Sequence, residues 1–168
     1  MTHPLVQQFL FTSSEWLRGL KGVSEEGSLQ HFGPMNCISW TVGHLAWHEQ
    51  KYWLDIAQGK VIYPELNKDF AYGAPMSSPP LKDVMRMWRA MTKASLPYLE
   101  SLDTEKLAAD LLRHGKSVGQ NVGSALHRIT YHYWYHIGEV QAIRQMLGNT
   151  NLPVYVGNIE AKAPYQPE

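Results

Sequence analysis

Residues 131–139 read Tyr131-His132-Tyr133-Trp134-Tyr135-His136-Ile137-Gly138-Glu139, and this stretch decides how the chain is read. His132 and His136 stand at i and i+4, so a helix places both on one face. With His132 at zero and about 100° per residue, His136 falls near 40°, Ile143 near 20°, and Ile129 and Leu147 near 60°. The two imidazoles therefore lie inside the apolar arc of the helix. Buried neutral imidazoles need hydrogen-bond partners or a metal ion. The helix alone leaves both readings open. Glu139 falls near 340° on the same wheel and borders the site, as a proton shuttle, an orienting group or a solvated acid. The order is not that of a zincin, which would need a glutamate where Tyr133 stands.

Working outward, the periodicity predicts a long helix from about Ser117 or Gly119 to Leu147, ending at Gly148. A first helix runs from Pro4 to Leu20, with Leu5, Phe9, Trp16 and Leu20 at helical intervals, Pro4 in its first turn and Gly22 behind it. A second runs from about Asn36 or Ser39 to Gln58, with Ile38, Val42, Leu45, Tyr52 and Ile56 as its apolar arc. A third follows Pro79-Pro80, from Leu81 to Leu102, with Pro97 as a point of kinking or splitting. Asp103 caps a short piece, TEKLAADLLR, that ends before Gly115. Residues 22–35 are a connection. Residues 59–80 form a long loop whose Tyr63, Phe70 and Tyr72 suit a packed cover. Residues 149–168 form an irregular tail with Pro153, Pro164 and Pro167, laid on the body by Tyr155 and Tyr165. No hairpin chemistry and no repeat is read. The expectation is an all-α four-helix bundle with a long crossover loop and an irregular C-terminal tail, one domain over residues 1–168.

The second helix carries Gly43-His44-Leu45-Ala46-Trp47-His48-Glu49, again with two histidines at i and i+4. Its arc centres about 120° from His44, and His48 at about 40° lies closer to it, so the wheel slightly favours His48 as a third ligand. Glu49 lies within the arc as a buried acid, a partner to an imidazole or one half of an ion pair. His3, His31, His114 and His127 read as terminal, connecting or exposed.

Composition narrows the classes. The chain has 168 residues, enough for a core without staples. Fifteen basic side chains balance fifteen acidic ones. A nucleic-acid partner, which favours a basic excess, is therefore not expected. Cys37 is the single cysteine, which excludes a disulfide scaffold, Cys-rich zinc modules and iron–sulfur clusters. The N-terminus lacks the basic and apolar regions of a signal, and no apolar run approaches the roughly 18–20 residues of a membrane span. A cytoplasmic protein without a membrane partner is the expectation.

The segments TVGHLAWHEQKYW and YHYWYHIGEVQAIRQMLG, together with the tail NLPVYVGNIEAKAPYQP, resemble the DinB-like (DinB/YfiT) superfamily of metal-binding four-helix bundles. The resemblance covers essentially the whole chain. It implies a divalent metal held by three histidines, His132 and His136 with His44, which matches the histidine of the family's Gly-His-Leu-Ala. That choice departs from the wheel, and His48 stays as the alternative. Zinc or nickel is implied first, iron or manganese also being compatible with imidazole. Members of the family transfer low-molecular-weight thiols or use them in isomerisation, and others are assigned as metal-dependent hydrolases. The implied activity is thiol transfer or hydrolysis on a small electrophilic substrate, with a homodimer as the implied assembly. Read from their places beside the histidines, Glu49 and Glu139 are the candidate catalytic groups, to orient a ligand imidazole or shuttle a proton. A metal-binding dimer without turnover is the alternative, and a structural bundle whose histidines are core residues is a third reading. A di-iron carboxylate site fits poorly, because Tyr133 stands where Glu-x-x-His would need its glutamate.

Overall fold

The computed structural model describes residues 2–166, and the tail proline Pro167 lies outside them. Among the described residues the chain is mostly helical, at 61% helix, with one two-stranded sheet. It groups into two compact units, one of residues up to Lys21 with those from Pro97 onward, the other Gly22–Leu96.

In the first unit, α1 (Pro4–Leu20) begins and ends where expected. Pro4 supplies a preset φ at the first helical position. His3, read from sequence as merely terminal, is the N-cap: its Nδ1 accepts the N–H of Leu5 at 3.1 Å. Gly22 follows the helix with φ 83°, a conformation open to a residue without Cβ. The principal partner of α1 is α7 (Val122–Met146). Tyr133 of α7, fully buried, receives Phe9 edge-on at 5.8 Å and Trp16 at 6.2 Å, the favoured arrangement of aromatic quadrupoles.

Between these helices the structure corrects the sequence reading. The short piece after Asp103 is helical only over Thr104–Ala108, here α6. Then follow β1 (Asp110–Arg113) and β2 (Lys116–Asn121), an antiparallel hairpin pairing Arg113 with Lys116 and Leu112 with Ser117. Its two turn residues, His114 and Gly115, have φ 49° and 77°. Two left-handed residues match the right-handed twist of the flanking strands, as in a type I′ turn. The last long helix consequently starts at Val122, not near residue 117. Asn121 caps it by accepting the Ser124 N–H at 2.7 Å.

The tail beyond Gly148 contains one turn of helix, α8 (Ile159–Lys162). It is tied down by side chains that donate to its carbonyls: Gln141 to Pro153, Arg18 to Val154 and Gln8 to Ala163, at 3.2, 2.7 and 2.6 Å. Tyr155 lies under the Arg18 guanidinium, 4.9 Å from its ring, as expected of a docked tail. Tyr165 does not: at 89% exposure it packs on nothing large.

The second unit centres on α3 (Ile38–Glu49), all twelve residues of which are buried. Such a helix carries no polar face to set a hydrophobic period. It runs on as a π-helix, Gln50–Ile56. The connection 22–35 holds one short helix, α2 (Glu25–Ser28), and the loop 59–80 holds another, α4 (Glu65–Asp69). Of the loop aromatics, Phe70 is buried, whereas Tyr72 is 93% exposed and covers nothing. The helix α5 (Leu81–Glu100) continues through Pro97 and stops two residues short of the expected end. Its first N–H groups have no intrahelical acceptor, and the Glu25 carboxylate accepts that of Leu81 at 2.8 Å.

Candidate metal centre

One turn of α7 brings His132 and His136 together, with their Nε2 atoms 2.9 Å apart. His136 is buried and His132 half-buried. The other nitrogen of His136, Nδ1, stands 2.5 Å from Oε2 of Glu139, three residues on. An ionised carboxylate only accepts, so the proton of a neutral His136 sits on Nδ1 and the lone pair on Nε2. The negative charge of Glu139 also acts on Tyr135, pushing its phenol pKa up, with burial adding to the effect. Tyr131 and Tyr135 are more than 60% exposed, and the Tyr135 ring stands edge-on to that of His136 at 4.9 Å.

On α3, His44 is held between two indoles, stacked on Trp40 at 5.1 Å and tilted against Trp47 at 5.2 Å. Its Nδ1 donates to the backbone carbonyl of Phe70 at 2.7 Å. A carbonyl cannot donate, so this ring too carries its lone pair on Nε2. His48 is buried one turn further on and packs on Tyr52 at 4.9 Å. Glu49 is wholly buried. The hydroxyls of Thr92 and Ser95, from α5, stand 3.3 and 3.1 Å from its carboxyl oxygens.

Among the described residues, His44, His132 and His136 form a group that could hold a metal ion: each offers one ligand atom, and these atoms all lie within 4.8 Å of one another. The group contains neither His48 nor Glu49 nor Glu139. Its donor set fits a divalent ion of intermediate softness.

The wheel is a poor guide to α3 for two reasons visible here. A helix buried on every side has no arc to centre on. Tyr52 and Ile56, which set the expected centre, lie in the π-helix, where the angle per residue changes. Sequence reasoning also missed the carbonyl of Phe70 and the hydroxyls of Thr92 and Ser95. They come from a loop and from another helix, and no local spacing announces them. The remaining histidines are accounted for elsewhere. His31 bridges the Met35 carbonyl and the Ser78 hydroxyl, His114 forms the hairpin turn, and exposed His127 stacks on Tyr131.

Residues 8–140 match the family model of the DinB superfamily, and the chain belongs to that superfamily. No curated protein matches it. No helix among the described residues is long and apolar enough to cross a membrane.

Proposed function

We propose that the protein is a metal-dependent enzyme, built on a four-helix bundle, in which His44, His132 and His136 hold one divalent ion and present it to a small electrophilic substrate. The observation that carries this reading is the convergence of three imidazole nitrogens, two of them on rings whose opposite nitrogen is engaged by an acceptor-only group. A divalent ion with three protein ligands and an open position supplies Lewis acidity to a small molecule bound beside it.

The residues of the chain divide the remaining work. The Phe70 carbonyl and the Glu139 carboxylate fix the tautomers and ring directions of His44 and His136. Glu139, about one-third exposed, is also placed to exchange a proton between its Oε2 and solvent. Glu49 is buried and held by two hydroxyls, the environment in which a carboxyl keeps one orientation for acid–base work. Thiol transfer and hydrolysis both suit such a site, the difference being which nucleophile enters. Zinc and nickel are the first ions to examine.

The test is metal content by mass spectrometry on tag-free protein purified without added metal, beside the double variant His132→Ala plus His136→Ala. Near-stoichiometric metal that the variant loses is the expected result, followed by turnover of an electrophilic substrate with a small thiol or water. Protein that holds no metal, even after soaking with zinc or nickel, overturns the reading. Metal without turnover turns the assignment to a binding protein.

A further inference from the structure

Gly43 stands inside a helix whose every residue is buried, although glycine is a poorer helix former than alanine. The reason is Phe70. A Cβ on Gly43 would stand 2.5 Å from Cδ1 and Cε1 of the Phe70 ring and 2.8 Å from its Cζ. That ring is 5% exposed and tilts against Trp40 at 6.2 Å, so it has little room to retreat. The same residue presents its carbonyl to the neighbouring His44. Phe70 thus straddles two consecutive residues of α3, its ring over one and its carbonyl on the next.

The segment that carries Phe70 is tied to the same helix at two further points. Trp47 Nε1 donates to Asn67 Oδ1 at 3.1 Å. Gln50 accepts the N–H groups of Ile62 and Tyr63 through Oε1, at 2.9 and 2.8 Å, and donates to the Tyr63 carbonyl at 2.9 Å. Residues 43, 47 and 50 follow one another at i, i+4 and i+7, one stripe of a helix.

We infer that residues 62–70 act as a clamp that sets the tautomer and ring direction of His44, with Gly43 as the gap through which the clamp seats. Gly43 and Phe70 are positioning residues for a metal ligand. The inference rests on the three-histidine reading for its use, but not for its geometry, which concerns the metal-free ring.

Two measurements test it. Zinc affinity is read by competition with a chromophoric chelator, for the parent, Gly43→Ala, Phe70→Ala and the double variant. The protonation of the His44 ring is read by nitrogen NMR on metal-free parent protein. The expected results are a proton on Nδ1 of His44 and zinc bound by G43A about 10–100-fold more weakly than by the parent. Phe70→Ala retains the carbonyl and removes the ring, so the double variant recovers most of that loss. A merely structural role for Gly43 would show no such recovery in affinity. Parent-like affinity in G43A, or a metal-free His44 protonated on Nε2, overturns the inference. Should G43A fail to fold, Gln50→Ala loosens the far end of the same segment, and zinc affinity that falls less than about threefold then counts against the clamp. A parent that binds no zinc removes the three-histidine reading instead, and the ring NMR alone then decides the clamp.

Discussion

Glu139 reaches His136 from three residues along the same helix, so it can be altered without moving a ligand. Glu139→Gln keeps the side-chain length and removes the negative charge that fixes the Nδ1 proton. Zinc affinity is expected to fall about 10–100-fold, read by chelator competition, with helix content unchanged by circular dichroism. The histidine pair itself was legible in sequence because it needed only one helix and one period. Its partner on α3 was legible only by resemblance. The partners of Glu49 were not legible at all, since Thr92 and Ser95 lie more than forty residues away in sequence.

The first helix could be read to the residue because punctuation stands at both its ends, a proline at its first position and a glycine behind it. The hairpin could not. Its turn is His114-Gly115, where the usual signal is asparagine or aspartate before glycine, and β1 is only four residues long. Gly115→Ala forces a Cβ into a left-handed conformation at φ 77° and is expected to cost about 1–2 kcal/mol, measured by urea denaturation. The cap of α6 gives a pH signature. The backbone N–H of Lys106 bonds Asp103 at 2.8 Å and, with the Lys106 side chain, holds its carboxyl below the usual carboxylate range. A pKa lowered by folding stabilises the protein above the ordinary value, and the gain is lost as pH falls through the lowered one. The advantage in Tm of the parent over Asp103→Ala is therefore expected at neutral pH and should vanish in acid below the carboxylate range.

For the whole molecule, an ion that binds the folded chain and not the unfolded one is a stabiliser. At a free concentration about a thousand times its Kd, zinc should add about 4 kcal/mol. For a chain of this size that corresponds to a rise in Tm of about 8–16 °C, abolished by a chelator and absent in the His132→Ala, His136→Ala variant. Helical class and the approximate spans of α1, α5 and α7 were readable from periodicity, because burial of apolar stripes dictates both. The hairpin and the clamp on His44 were not, because the turn of the first lacks its usual residues and the second depends on a distant segment.

The two indoles that enclose His44 have one more consequence. Tryptophan emission responds to the charge and quenching power of whatever touches the ring, and Trp40 lies face to face with this imidazole, with 12° between the planes. The chain thus carries its own optical gauge. Filling the site should change the ultraviolet fluorescence without any added dye, and Trp40→Phe should mute most of that response while leaving the ligands in place.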